Sequence, residues 1–243
     1  MMKITIGHLY PDLLNLYGDR GNIQCLMKRC EWRGIEAETI AYELNDRIDF
    51  DALDIVLLGG GSDREQMIVC TRLQEIRDDF KRYVENDGVV IAICGGYQLL
   101  GHYYRTSEGE MKGLSLVDLT TEQGEGRLIN NVVLKSDLFD MPIVGFENHG
   151  GRTDIKGNKP LGKVLYGSGN NGESGYEGVV YRNVIGTYLH GPLLPKNPAL
   201  ADLLIERALQ KKYGKNVRLE VLPDKEEKEA NRYVYDRFVK KQA

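Results

Sequence analysis

The chain has 243 residues, a formal net charge of −4, and 28% charged against 42% hydrophobic residues, the composition of one globular domain with a full core. Its slight acidity argues against nucleic acid as a main partner. No run approaches the roughly 18 apolar residues of a membrane span, and the N-terminus MMKITIGHLY passes straight into a strand pattern, so no signal peptide is expected and the expected location is cytoplasmic.

Residues 3–6 read as a first strand. The loop YPDLLNLYGDRGN (10–22) leads into a helix over 23–33, stopped by Gly34. Residues 35–41 and 55–58 read as a second and a third strand, the latter running into GGGSD at 59–63. From 64 to 86 the apolar residues Val69, Leu73, Ile76, Phe80 and Tyr83 step by four and three, the pattern of one long amphipathic helix. Gly88 ends it, and the unbroken apolar run VVIAI at 89–93 reads as a strand covered on both faces. This β-α-β-β-α-β-α order predicts an α/β fold, a doubly wound and mostly parallel sheet. Sites in such sheets lie beyond the carboxyl ends of the strands.

The second half changes character. Short strand runs at 114–119, 127–134, 143–147, 178–181 and 184–189 alternate with glycine-rich turns such as GSGNNGESG, and read as antiparallel strands added to the sheet. A helix is expected over 199–213. Residues 214–243 read as a charged helical extension of the same single domain, with Asp224 and Glu227 as a capping signal and Tyr233, Val234 and Phe238 on one packed face.

VVIAICGGYQLLG, at 89–101, carries the chemistry. A strand that becomes a helix within two residues needs small neighbours around the residue at its tip. Ala92 and Gly96 flank Cys94 at two residues on either side, the pattern of a nucleophile elbow with a thiol in place of serine. The helix behind it offers N–H groups and a positive end, expected to lower the thiol pKa and stabilise an oxyanion. The bland alternative is a buried, inert cysteine. Cys25, Cys30, Cys70 and Cys94 form no C-x-x-C pair and read as reduced thiols, with neither disulfide nor metal site expected. A thiol nucleophile needs a base. His8 ends the first strand, His102 follows the elbow helix and should be exposed, and His149 and His190 both follow strands. On mechanics alone His149 and His190 are both plausible.

CGGYQLLG and GTYLHGP, with LLGGGSD upstream and FENHGG between them, resemble the class I glutamine amidotransferases, in the branch of the cobyric and cobyrinic acid synthases. The resemblance covers about residues 3–210 and implies the flavodoxin-like fold of that class. It implies Cys94 as nucleophile on the glutamine side-chain amide and His190 as the base. It implies Gly60, Gly61 and Gly95 as oxyanion donors, Gln98 as a substrate-binding residue and His149 as a residue beside the site. Arg127 is the candidate for the glutamine α-carboxylate, which a guanidinium fork suits. LYPDLLNLYGDRGNIQCL is similar to the glutaminase subunits that pair with a Mur-ligase-like synthetase of the MurT type to amidate the D-glutamate of the peptidoglycan stem peptide.

Two departures follow. The wider class has an acid two residues after the histidine, where this chain has Pro192. Asp19 and Glu147 are weak substitutes, and an acidic side chain of the partner is the expected orienting group. LGGGSDRE lacks G-K-[ST] and is no P-loop. No cofactor is therefore expected in this chain, and ATP with magnesium belongs on the partner. A stand-alone α/β cysteine hydrolase or a non-catalytic domain would share the elbow but need no partner.

Overall fold

The strands of the first half line up in one parallel sheet, whose central strands are apolar on both faces while the edge strand at 36–42 is largely exposed. The computed structural model describes residues 2–15 and 18–242, so the predicted loop at 10–22 lies partly outside the described residues. In chain order come β1 (Lys3–Leu9), α1 (Arg20–Glu31), β2 (Glu36–Tyr42), β3 (Ile55–Leu58), α2 (Asp63–Glu75), α3 (Arg77–Glu85), β4 (Val89–Ile93) and α4 (Gly95–Leu99). The second half carries β5 (Tyr103–Thr106), β6 (Gly109–Lys112), β7 (Thr120–Lys135), β8 (Ile143–Asp154), β9 (Gly162–Tyr166), β10 (Tyr176–Glu177), β11 (Val179–Tyr181) and β12 (Val184–Thr187), then α5 (Pro198–Tyr213) and α6 (Lys225–Phe238). The first sheet runs β11-β12-β4-β3-β1-β2, parallel throughout except for β11 against β12. Every residue of β3 and β4 is buried, as expected of central strands with helices on both faces.

The antiparallel strands are present, but only β11 extends this sheet. The others form a second sheet, β10-β9-β7-β5-β6, with β8 paired along β7. Residues 114–119 make no strand. Their apolar side chains are buried because backbone bonds pin the segment under the end of α4, from Leu114 N–H to Leu99 O at 2.8 Å and from Leu116 N–H to Leu100 O at 2.9 Å. The long helix over 64–86 is two helices, broken at Ile76 (φ −103°, ψ 7°), where the apolar stepping continues without a gap. Among the described residues no helix is long and apolar enough to cross a membrane.

The charged C-terminal segment is fastened by a buried guanidinium. Arg29 on α1 is 2% exposed. It donates to Asp202 of α5 at 2.6 and 2.7 Å and to Asp224 at 2.8 Å through two nitrogens. Asp224 starts α6 without capping it, since its carboxylate is turned to Arg29. On α6 the packed face carries Asn231, Val234 and Phe238, with Phe238 4.9 Å from the ring of Tyr166, while Tyr233 faces solvent. Removing one partner of a buried ion cluster leaves charge unpaired in a poor dielectric. Arg29→Ala is therefore expected to cost about 3–5 kcal/mol in urea unfolding. A loss under about 1 kcal/mol would mean that the cluster carries little of the packing of α1, α5 and α6.

Candidate active site

The register of the first sheet brings the working residues to one level. Leu58 pairs with Ala92, and Thr187 pairs with Ile93. The chain therefore leaves β3 at Gly59, β4 at Cys94 and β12 at Tyr188 side by side, at the carboxyl edge where α/β sheets place their sites.

Cys94 is at φ 49°, ψ −105°, a left-handed conformation that a non-glycine residue adopts only under constraint. The constraints are visible. Its N–H donates to Thr187 O at 2.8 Å, and Gly96 N–H donates to Gly59 O at 3.1 Å. A Cβ on Gly96 would sit 2.4 Å from Leu58 O, and one on Gly95 would sit 2.7 Å from Gln66 Cδ. The small residues around the elbow are thus demanded by close backbone approach. The expected lowering of the thiol pKa does not occur in this resting state. Burial pushes Cys94 up to about 12, the Asp19 carboxyl adds to that, and the Gly95 N–H opposes both. A helix of five residues offers too small a field to offset the burial. Cys94 is a thiol at neutral pH, and a thiol in that state needs a neighbouring base to act as a nucleophile.

His190 lies beside it. Its N–H donates to Phe146 O on β8 at 2.8 Å, which seats it between the two sheets. A Cβ on Gly60 would lie 3.3 Å from Cys94 Cβ and 3.3 Å from His190 Cε1, so the thiol and imidazole share one wall. Burial first, and then His149 and Arg127, hold His190 down to about 4. Its ring is neutral at pH 7 and able to accept a proton.

His149 stacks flat on Tyr188, with centroids 3.6 Å apart. Its Nδ1 donates to Gly151 O at 2.8 Å and its Nε2 is 3.7 Å from Glu147 Oε2. Gln98, on α4, donates from Nε2 to Tyr188 Oη at 3.2 Å, and Tyr188 Oη is 2.6 Å from Thr153 Oγ1. Arg127 sits in the bulge of β7 and is exposed; Nε and Nη2 donate to Asn148 Oδ1 and Asn148 O, both at 2.7 Å. Its charge reaches both Cys94 and His190. His102 is exposed and pairs with Asp118 at 3.0 Å. All four cysteines are free thiols.

Of the three candidate oxyanion amides, that of Gly60 already has an acceptor, donating to Asp19 Oδ2 at 2.7 Å. Asp19 itself is fully buried beneath the glycine turn, pushed up to about 7 by burial. Glu147 accepts from Ser168 and Gly169 N–H at 2.7 and 2.9 Å and secures the loop after β9. Sequence reasoning passed over Gln66, Tyr188 and Asn148. Gln66 is 2% exposed and packs on the elbow from α2, one turn after the GGGSD run.

A family model for the CobB/CobQ-like glutamine amidotransferase domain matches residues 5–198. The chain belongs to that family. Among curated relatives, the lipid II isoglutaminyl synthase (glutamine-hydrolysing) subunit GatD of Streptococcus pneumoniae is 43% identical over 225 residues, 91% of this chain and 86% of the relative. GatD of Staphylococcus aureus is 45% identical over 213 residues, 87% of each chain. A cobyric acid synthase of Clostridium botulinum is 29% identical over 70% of this chain but only 37% of its own. Among solved structures, PurLQS of Thermotoga maritima superposes with a TM-score of 0.56 at 18% identity, covering 86% of this chain and 97% of its own. A glutamine amidotransferase of the same organism superposes with a TM-score of 0.53 at 14% identity, covering 97% and 98%. At those identities the likeness is one of fold.

Proposed function

We propose that this chain is the glutaminase subunit of a lipid II isoglutaminyl synthase, forming a heterodimer with an ATP-dependent, Mur-ligase-like synthetase of the MurT type. The observation that carries the reading is its similarity, at 43% and 45% identity, to two GatD subunits across most of both chains. The site has the parts the reaction needs. Cys94 Sγ attacks the side-chain carboxamide carbon of glutamine as its proton passes to His190. The carbonyl electron pair moves onto oxygen, facing the amides of Gly61 and Gly95. The C–N bond then breaks, His190 returns the proton to the leaving ammonia, and water cleaves the thioester to release glutamate. Gln98 and Arg127 hold the substrate, Arg127 through its α-carboxylate. Ammonia passes to the partner, which holds ATP and magnesium and converts the stem-peptide D-glutamate to D-isoglutamine.

Burial disfavours both thiolate and imidazolium here, so proton transfer from Cys94 to His190 is uphill in the resting site. A carboxylate of the partner, docked behind His190 in place of the acid missing at Pro192, stabilises the imidazolium. Hydrolysis by the isolated chain is therefore expected to be slow and to rise by about 10-fold or more when partner is added. An acid-to-amide change in that partner residue lowers turnover without weakening assembly. Equal turnover by the isolated chain and the complex, at saturating glutamine, rules out the shared acid.

A further inference from the structure

The loop before α1 packs on the catalytic turn and places one carboxylate, that of Asp19, against it. Asp19 is the N-cap residue of α1, yet its carboxylate does not cap the helix. It is fully buried and makes no ion pair among the described residues. One oxygen, Oδ2, accepts from Gly60 N–H at 2.7 Å, and Oδ1 has no hydrogen-bond partner among the described residues. A carboxylate held this way costs stability. Such a group is retained where it sets a geometry that matters.

The geometry it sets is that of the peptide between Gly59 and Gly60. The carbonyl of that peptide accepts from Gly96 N–H at 3.1 Å, on the elbow helix. Its N–H is held by Asp19. Both polar atoms are therefore fixed, and the peptide plane with them. The Gly61–Ser62 peptide is held too, since Gly61 O accepts from Gln66 Nε2 at 3.2 Å. Between these two anchors lies the N–H of Gly61, which has no acceptor among the described residues. Space enforces the same arrangement. A Cβ on Gly59 would lie 2.1 Å from Leu14 O and 2.9 Å from Asp19 Oδ2, and the place of a Cβ on Gly60 is 3.3 Å from both Cys94 Cβ and His190 Cε1. A rotation of this turn cannot occur without disturbing the reacting pair.

We propose that Asp19 is a positioning residue for the oxyanion hole: its carboxylate fixes the Gly59–Gly60 peptide so that the amide of Gly61, and not that of Gly60, joins the amide of Gly95 on the developing oxyanion. The proposal rests on the glutaminase reading. It assigns Asp19 no contact with substrate and no proton transfer. What Asp19 supplies is an acceptor at one place, so an asparagine, whose Oδ1 accepts from the same N–H, substitutes for it.

The test compares Asp19→Ala and Asp19→Asn in the complex with the synthetase partner, after glutamine hydrolysis by the native complex has been established. Kinetics of hydrolysis are read beside the rate at which iodoacetamide alkylates Cys94. Alkylation is a displacement at saturated carbon and forms no oxyanion, so it reports the thiol alone. Misplacing one oxyanion donor costs about 10²-fold or more in kcat. Asp19→Ala is expected to lose that much in kcat with KM within about threefold of native. Its alkylation is expected to be unchanged or faster, since a negative charge near the thiol is gone. Asp19→Asn is expected to stay within about tenfold of native kcat. The proposal falls if Asp19→Ala keeps native kcat, if alkylation drops in step with kcat, or if a folded Asp19→Asn is as slow as expected for the alanine variant. Should Asp19→Ala fail to fold, the asparagine variant decides alone by the same limits. Absence of hydrolysis by the native complex overturns the functional reading and this proposal with it, whereas native hydrolysis with an unaffected Asp19→Ala overturns the proposal only.

Discussion

Cys94→Ala is expected to abolish glutamine-dependent amidation by the complex, a loss of about 10⁴-fold or more, while amidation driven by added ammonium salt persists. The substitution removes one sulfur atom from a residue that is 6% exposed. Alanine can hold the same backbone bonds to Thr187 and Gln98, because those use the main chain of residue 94. The fold and the surface offered to a partner are therefore kept, and only the nucleophile is lost. On the proposed function, ammonium salt bypasses it by supplying ammonia directly to the synthetase. The measurement is the rate of isoglutamine formation with glutamine and then with ammonium chloride. Loss of both activities in a variant that still binds its partner would show that this chain contributes more than nitrogen.

Much of this site was legible in the sequence because its reasons are local. VVIAI is apolar without alternation, which a strand covered on both faces accommodates. Ala92, Gly95 and Gly96 announce a turn too tight for side chains, and the distances at Gly95 and Gly96 give the reason. The break at Ile76 left no mark, since the apolar spacing that keeps a helix on the core runs through it. β5 and β6 are short and largely exposed, so they lack the alternation by which a strand is recognised. The segment 114–119 misled in the opposite way, being apolar because it is buried under α4 and not because it joins a ladder. Asp19 and Gly60 lie 41 positions apart. Arg29 and Asp224 lie 195 apart. Pairings at that range arise from the assembled fold and have no local signature, so Asp224 reads as a cap and Asp19 as a loop residue. The thiol pKa was misjudged for a related reason. Helix field and small neighbours are local, while the burial that outweighs them is a property of the whole molecule.

The assignment of the base yields the second large effect. His190→Ala is expected to lower glutamine hydrolysis by about 10²–10⁴-fold, and His149→Ala by less than about tenfold. Gly60 places His190 against Cys94, whereas the Nδ1 proton of His149 is given to Gly151 O and its ring lies flat on Tyr188. Removing His149 loosens the tyrosine that Gln98 holds, and through it substrate placement, so its loss should fall mainly on KM. The pH profile separates the roles further. The active form of a base is the neutral ring, and burial holds His190 near 4. Hydrolysis by the native protein should therefore not decline between pH 8 and 6 on account of His190, as it would for a histidine with the ordinary value of about 6.5. Unfolding must be kept out of this measurement. His8 and His190 are both held down to about 4, so the unfolded chain binds their protons first, and the stability they leave at neutral pH is lost as pH falls from 6.5 toward 4. Asp19 and Glu177, raised to about 7 and about 8, act in the opposite direction, their stabilising contribution being present at low pH and lost as pH rises through those values. Circular dichroism at each pH identifies the range in which the chain stays folded. Within that range, an active His190→Ala beside an inactive His149→Ala reverses the assignment, and an acid limb centred near pH 6.5 in the complex but absent from the isolated chain means that the partner's carboxylate raises the base toward its ordinary value.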